Sequence, residues 1–305
     1  MTVVTRTDHL SCSRRWLVAL VLCGSISTLG VVRAQELAPA LSADVQSNAS
    51  ADAPGPAPAG SAQAVQPATP APSAPAERDV SERLLIPNFL HDQKDMWLFP
   101  TKLSHENHWL PAVVVVGVTA GLLAADAHDA PYFRQTRTFN DFNGAFASNI
   151  TMSEVLIAPA SFYVVGLLDK DPYTRKTGLL AAEAVADVTV LSEVIKAVTR
   201  QTRPQAIPPY GNFSDTFFNA KGDPFSSGFP SGHTISAFAV ATVIAHRYRS
   251  HRWVPFVAFG AASLIGFSRI TTQAHFPSDV FLGAALGYAV AQFDVLRVPA
   301  FGLGH

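Results

Sequence analysis

Three short segments, distant from one another in the chain, carry residue types that suit the binding of a phosphate. They contain Lys196 and Arg203 in KAVTRQTRP, Ser231, Gly232 and His233 in FPSGHT, and Arg269, His275 and Asp279 in SRITTQAHFPSD. Ammonium and guanidinium groups bind an anion with several oxygens, and a guanidinium does so with two parallel hydrogen bonds. A Ser-Gly pair at the start of a helix adds backbone N–H donors and the positive end of the helix dipole.

The two histidines and the carboxylate add chemistry that binding alone does not need. One histidine can act as a nucleophile and the other as an acid for a leaving oxygen. Asp279 follows His275 by four residues, so its carboxylate can hold the far nitrogen of the imidazole and set its tautomer.

Each residue also has an ordinary structural explanation when it is taken alone. A lysine or arginine can interact with the dipole at a helix end, a serine can cap a helix, and a histidine can belong to the core. Nothing structural, however, requires all three segments to meet. Their meeting would therefore indicate function.

The elements that must position these residues are predicted to be helices. Six apolar segments are long enough for helices and rich in Ala, Leu, Val and Gly: 109–125, 155–168, 177–198, 234–248, 253–267 and 280–296. They predict an all-α fold, a six-helix bundle. If consecutive helices are antiparallel, the three polar segments lie at one end of the bundle.

Taken together, the three segments resemble the signature of the type 2 phosphatidic acid phosphatase (PAP2) superfamily, which includes class A acid phosphatases and vanadium haloperoxidases. The resemblance covers residues 196–279 and every signature position is matched. It implies that His275 attacks phosphorus to give a phosphohistidine and that Asp279 orients His275. His233 would protonate the leaving alcohol. The phosphoryl oxygens would be held by Lys196, Arg203, Ser231, Gly232 and Arg269.

The same reading assigns no metal and no cofactor to the site. The cations supply the positive charge that a metal would otherwise provide. Acidic or His/Cys clusters typical of a metal site are absent from the sequence pattern. Arg200, which lies between the two cations of the first segment, is interpreted as an ordinary cation at a helix end.

The N-terminal region is predicted to direct export. Residues 1–34 combine arginines, an apolar run and a small-residue cleavage site before Gln35, which is typical of a signal peptide; an uncleaved membrane anchor is the alternative. Residues 35–80, dominated by Pro and Ala, are predicted to be a disordered linker, and residues 81–305 the catalytic domain. Both cysteines, Cys12 and Cys23, lie in the leader.

The composition of the chain limits the kinds of molecule that it is expected to bind. A net charge of −1 gives no basic field, so nucleic acid is not expected to bind. The expected partner is a phosphorylated small molecule or lipid, with contact to a membrane surface or insertion into a membrane. The expected location is the cell envelope, as a periplasmic protein that is soluble or membrane-associated, with an integral membrane protein as the alternative.

Two features leave the relation to the membrane open. The 177–198 segment contains Glu183, Asp187 and Glu193, which are costly in lipid unless they face inward. By the positive-inside rule the basic loop HRYRSHR would be cytoplasmic, which would place the site outside. An exported N-terminus followed by six spans would instead place the site end in the cytoplasm. The conflict is resolved if the leader is not an export signal, if the helix count is off by one, or if the bundle does not span. The last is favoured, with the bundle resting on the membrane through the 81–100 region.

The predicted activity is that of a metal-independent phosphatase acting on lipid phosphates or soluble phosphomonoesters. Two alternatives stand beside it: a vanadate-dependent haloperoxidase, and a binding protein for phosphate or lipid headgroups without catalysis. The loop 205–229 bears on the substrate, because its aromatic residues either line a mouth for an acyl chain or pack the loop down. These are Tyr210, Phe213, Phe217, Phe218 and Phe225.

Overall fold

The structure is a computed structural model that describes residues 78–102, 109–145 and 148–297. These residues form eight α-helices and no strand, which confirms the predicted all-α class. The helices are α1 (Leu85–Lys102), α2 (Trp109–Gln135), α3 (Asn140–Ala145), α4 (Ser148–Leu168), α5 (Pro172–Thr199), α6 (Gly232–Arg247), α7 (Val254–Thr271) and α8 (Pro277–Ala289). The predicted signal peptide and nearly all of the predicted linker lie outside the described residues.

All six predicted helices are present, as α2 and α4 to α8. Several extend beyond the apolar run from which they were predicted, since polar first and last turns give no apolar signal. Helix α5, for example, begins at Pro172, where the carboxylate of Asp171 accepts a hydrogen bond from the Tyr173 backbone N–H at 3.0 Å. Helices α1 and α3 are additional to the six.

The core lies around α6, which packs against α5, α7 and α8. Its buried residues include Ile235, Ala239 and Val243, which meet Leu180 and Val188 of α5. Helix α8 approaches α6 closely: a methyl group on Gly287 would lie 2.2 Å from the Ile235 carbonyl oxygen. Small residues at this contact therefore bring the backbones of the two helices together.

The last predicted helix, 280–296, changes form near its end. Its α-helix ends at Ala289, and the next six residues, Val290–Val295, form a π-helical turn. In this turn Val290, Ala291 and Val295 remain buried against the core. The carbonyls of Asp294 and Val295 accept hydrogen bonds from Arg78 at 3.4 and 3.3 Å.

A buried charge network ties the first described residues to the bundle. Arg78 donates to Asp92 of α1 at 2.6 Å and to Glu183 of α5 at 3.0 Å, and all three side chains are almost fully buried. Asp187, also buried, accepts a hydrogen bond from Gln93 at 3.0 Å. Glu183 and Asp187, two of the three α5 carboxylates that would be costly in lipid, therefore face inward, toward α1 and Arg78.

Among the described residues, two helices are long and apolar enough to cross a membrane, by length and composition: α2 and α7. In the most apolar stretch of α2 only 11% of the residues are buried, and in that of α7 33%. Arg247, the last residue of α6 and part of the basic segment HRYRSHR, is buried and lies 4.0 Å above the ring of Tyr173. Its charge is held inside the bundle, so it adds little to a topological signal from that loop.

Candidate active site

The second predicted segment forms the start of α6, where the first and second segments meet. Ser231 stands at the N-cap and is fully buried; its side chain caps no backbone N–H group but accepts a hydrogen bond from Thr234 at 2.9 Å. A methyl group added to Gly232 would lie 3.3 Å from the Lys196 Nζ. Glycine therefore allows the ammonium group to lie against the first turn of α6.

The third segment is a tight loop between α7 and α8 that places His275. The backbone N–H groups of Ala274 and His275 both donate to the Arg269 carbonyl, at 3.0 and 3.1 Å. The imidazole of His275 is only 3% exposed. Its Nδ1 lies 2.7 Å from the Gly228 carbonyl oxygen and 3.5 Å from Asp279 Oδ2. Because a carbonyl only accepts, Nδ1 carries the proton, and Nε2 retains its lone pair.

Asp279 joins the second and third segments. Its Oδ2 accepts the Phe276 backbone N–H at 2.8 Å, which fixes the carboxylate at the first turn of α8. Its backbone carbonyl accepts the Ser231 N–H at 3.1 Å. Complete burial raises the pKa of Asp279 well above its ordinary value, and hydrogen bonds from Phe276 and the charge of Arg203 partly offset that rise.

Three cations from two segments act on the buried imidazole. Burial, together with the positive charges of Arg203, Lys196 and Arg269, lowers the pKa of His275 to about 3, while the hydrogen bond to the Gly228 carbonyl opposes this shift. Arg269 is itself fully buried, with its Nε donating to Ser268 Oγ at 3.0 Å. The imidazole is therefore neutral at physiological pH and surrounded by positive charge.

Arg203 and Lys196 each have a partner that the sequence did not indicate. Arg203 donates from Nε to the Ser226 carbonyl at 3.0 Å and from Nη2 to the Ser227 carbonyl at 3.4 Å. Burial lowers the pKa of its guanidinium. Lys196 forms an ion pair with Glu193, one turn earlier on α5, at 2.6 Å. Both cations are thereby oriented without a bound anion.

The structure places all eight predicted site residues at one end of the bundle. Lys196 lies in the last turn of α5, Gly232 and His233 open α6, Arg269 lies in the last turn of α7, and Asp279 lies in the first turn of α8. His233 is half-buried. Arg200 points elsewhere, since its Nη2 donates to the carbonyls of Ala220 and Gly222.

Sequence reasoning missed residues that support the site from outside the signature. Gly228 supplies the carbonyl for His275, and nothing in SSGF distinguishes it from any other loop glycine. Asp126 of α2 accepts hydrogen bonds from the backbone N–H and the hydroxyl of Ser278, beside Asp279. An acidic residue within the otherwise apolar α2 was the sequence feature from which this buried contact could have been predicted.

The five aromatic residues of the loop 205–229 are divided between the two predicted roles: two pack against other residues and three are exposed. Phe213 packs on the small cluster of Ala130, Ile207 and Phe276, and Phe217 packs edge-on against Phe229 at 5.3 Å between ring centroids. The other three are exposed: Tyr210 fully, Phe218 at 73% and Phe225 at 52%. Within the described residues, no group of three or more His, Cys, Asp or Glu side chains is arranged to hold a metal ion.

The fold and the site define an all-α bundle protein whose cations and histidines converge at one end. The family model described as the PAP2 superfamily matches residues 177–300, about two fifths of the chain. This confirms the resemblance drawn from the three segments.

Several characterised proteins are similar to parts of the chain. A lipid A 1-phosphatase of Porphyromonas gingivalis is 41% identical over 68 residues, 22% of this chain and 15% of the relative. A lipid A 1-phosphatase of Rhizobium etli is 38% identical over 102 residues, 32% of this chain and 40% of the relative. An undecaprenyl-diphosphatase of Sulfolobus acidocaldarius is 31% identical over 124 residues, 40% of this chain and 55% of the relative.

The chain thus spans between about one seventh and just over half of the length of these relatives. Among solved structures, a transmembrane PAP2-type phosphatidylglycerolphosphate phosphatase from Bacillus subtilis is similar with 20% identity and a TM-score of 0.38. That match covers 69% of this chain and 92% of the other.

Proposed function

We propose that this protein is a metal-independent phosphatase that hydrolyses lipid phosphates through a phosphohistidine. The observation that carries the proposal is the state of His275: Nδ1 is held by Gly228 and faces Asp279, while three cations surround the neutral ring. A binding site for phosphate needs the cations, but it does not need a histidine whose tautomer is set for attack.

In the first step, Nε2 of His275 attacks phosphorus while the bond from phosphorus to the ester oxygen breaks. The leaving oxygen takes a proton from His233, so the alcohol departs neutral. Lys196, Arg203 and Arg269 stabilise the charge on the equatorial oxygens of the transition state, together with the N–H groups at the start of α6. Asp279 balances the positive charge that develops on His275.

In the second step, a water molecule attacks the phosphohistidine on the side from which the alcohol left. His233, now neutral, takes a proton from this water, and the bond from phosphorus to Nε2 breaks. Inorganic phosphate leaves, and His275 returns to its neutral form with the proton on Nδ1. The carbonyl of Gly228 can hold that proton through both steps, so the ring does not need to turn.

A lipid is the proposed carrier of the phosphate. The relatives named above are two lipid A 1-phosphatases and an undecaprenyl-diphosphatase, whose names specify lipid-linked phosphates. Three exposed aromatic side chains on the loop 205–229 provide apolar contact surface beside the site. Phe218 takes a positive φ of 61°, which is unfavourable for a large residue, yet its ring stays exposed.

The proposed location is the membrane of the cell envelope. Helix α2 exposes a continuous apolar surface that includes Trp109, Val113 and Val116, each more than half exposed. Helix α1 also turns apolar residues outward, with Ile86 73% and Leu90 61% exposed, while its Asp92 is buried. Such surfaces suit lipid better than water. Contact of the 81–100 region with a membrane, expected from the sequence, is part of this proposal.

The test is an assay of phosphate release by the full chain, in detergent and EDTA. We would compare p-nitrophenyl phosphate, a short-chain phosphatidate and a prenyl diphosphate, each with the wild type and with His275→Ala. Activity on a lipid substrate that His275→Ala abolishes is the expected result. Activity that EDTA removes, or that survives in His275→Ala, would overturn the mechanism. Acid-labile and base-stable labelling by a ³²P substrate would identify the phosphohistidine.

A further inference from the structure

Gln201 is buried next to the site, yet it belongs to none of the three signature positions. It is 1% exposed and lies two residues before Arg203, in the turn that follows α5. Its backbone is held on both sides by the segment that carries Gly228. The Gln201 N–H donates to Ser227 Oγ at 2.8 Å, and the Gln201 carbonyl accepts the Gly228 N–H at 2.9 Å.

The side chain of Gln201 ends near the carboxylate that faces His275. Its Oε1 and Asp279 Oδ2 lie 2.8 and 3.4 Å from the point where a methyl group on Gly228 would be. Only a glycine leaves room for both groups at that point. The nearby Gln201 amide favours the ionised form of Asp279 and so lowers its pKa, against the larger effect of burial, although the two side chains do not reach the geometry of a full hydrogen bond.

Unused hydrogen-bonding capacity is concentrated at this contact. Among the described residues, neither amide atom of Gln201 has a hydrogen-bond partner, and Asp279 Oδ1 has none either. A buried donor and a buried acceptor left unpaired cost free energy, so such groups need an explanation. Catalytic hydrogen bonds are often long in an empty site and shorten when substrate binds.

We propose that Gln201 is a positioning residue, whose amide N–H supports Asp279 Oδ1 and thereby holds the carboxylate against His275 during phosphoryl transfer. The inference rests on the proposed phosphatase function. Asp279 would then be fixed by two donors on its two oxygens, Phe276 N–H on Oδ2 and Gln201 on Oδ1. The turn after α5 would thus contribute to both Arg203 and the His275–Asp279 pair.

The experiment is a double-mutant cycle with Gln201→Met and Asp279→Asn, assayed for phosphate release from p-nitrophenyl phosphate. Methionine keeps the length of the side chain but removes the N–H donor. We expect Gln201→Met alone to lower kcat about 10-fold, with KM changed less than about twofold. In the Asp279→Asn background we expect no further loss, since Gln201 acts through that carboxylate.

An equal loss of kcat in both backgrounds would overturn the inference, because it would mean that Gln201 acts independently of Asp279. An unchanged kcat in Gln201→Met would overturn it as well. Thermal unfolding of each variant separates these results from a loss of fold. An inactive wild type would instead contradict the proposed function, so the two failures are distinguishable.

Gln201→Glu provides a second readout that does not depend on the fold of Gln201→Met. The charged groups that face Asp279 are His275, Arg203 and, from α2, Asp126. A carboxylate at position 201 repels that of Asp279 and disfavours its ionised form. The acid limb of the kcat–pH profile should therefore move to higher pH. A limb at the wild-type pH would overturn the inference.

Discussion

His275 Nδ1 lies closer to the carbonyl oxygen of Gly228, at 2.7 Å, than to Asp279 Oδ2, at 3.5 Å. The tautomer of the proposed nucleophile is therefore set by a backbone group, which no single side-chain substitution removes. In the proposed mechanism the carboxylate has a different role, which is to balance charge on the ring as the bond to phosphorus forms. The contributions of Gly228 and Asp279 can be separated by mutation.

Asp279→Asn is expected to lower kcat by about 100-fold or more, and His275→Ala to reduce turnover to background. The asparagine variant should retain measurable activity because Gly228 still holds Nδ1–H. Single-turnover phosphate release would measure the difference. Equal residual rates in the two variants would mean that the Gly228 carbonyl does not preserve the reactive tautomer.

Arg203→Lys is expected to raise the inhibition constant for phosphate and for vanadate by about 10-fold. A lysine cannot bind the carbonyls of Ser226 and Ser227 and still present a planar pair of donors to an anion. Arg200→Lys is the matched control, since Arg200 binds the carbonyls of Ala220 and Gly222 instead. If both variants changed inhibition equally, Arg203 would have no special role in binding the anion.

Lowering the pH is expected to destabilise the wild type more than His275→Asn. In the folded protein the pKa of His275 is lowered to about 3, whereas in the unfolded chain it is about 6.5. Between these values the unfolded state binds a proton that the folded state does not. The stability contributed by this residue is thus present above pH 6.5 and falls as the pH decreases toward 3.

The difference in free energy of unfolding between wild type and His275→Asn should therefore change by about 2–3 kcal/mol from pH 7.5 to pH 4.5. Thermal unfolding of both proteins in the same detergent at the two pH values would measure it. Parallel pH dependence of the two melting temperatures would show that His275 is not held in its neutral form.

The sequence predicted the helices and the eight site residues because both leave a signal in residue type and spacing. It did not predict α1 as part of the bundle. There the buried residue is Asp92 and most of the exposed ones are apolar, the reverse of the usual pattern, and the reason is a distant partner, Arg78. Gln201 and Gly228 were missed for a related reason. Gly228 matters through its backbone carbonyl, which His275 contacts, and Gln201 fits beside it only because Gly228 has no side chain. Both features exist only in the folded chain.

Gly287→Ala is expected to destabilise the bundle by about 1–3 kcal/mol, because the added methyl group would lie 2.2 Å from the Ile235 carbonyl oxygen. Gly260→Ala on α7 is the control, since a methyl group there has no heavy atom within 4 Å. Helix propensity alone should make that change neutral or stabilising by up to about 1 kcal/mol. Thermal unfolding compares the two, and similar shifts would contradict the close contact of α6 and α8.

Replacing the three exposed aromatic residues of the loop 205–229 by serine is expected to separate lipid substrates from soluble ones. The variant carries Tyr210→Ser, Phe218→Ser and Phe225→Ser. These rings make no core contact comparable to those of Phe213 and Phe217, so the phosphate-binding site should keep its structure. The kcat/KM for p-nitrophenyl phosphate should therefore stay within about twofold of the wild type. For a long-chain phosphatidate in vesicles it should fall by about 10-fold or more, because apolar contact area with the lipid is lost.

Phe256→Ser is the matched control for that variant, since Phe256 is 80% exposed in the first turn of α7, at the end of the bundle opposite the site. It should leave the ratio of the two activities unchanged. An equal loss on both substrates in the triple variant would assign the aromatic residues to the fold of the loop. Phe218 adopts a positive φ although its ring is exposed. Full activity of the triple variant on vesicles would mean that this strained conformation does not serve contact with the substrate.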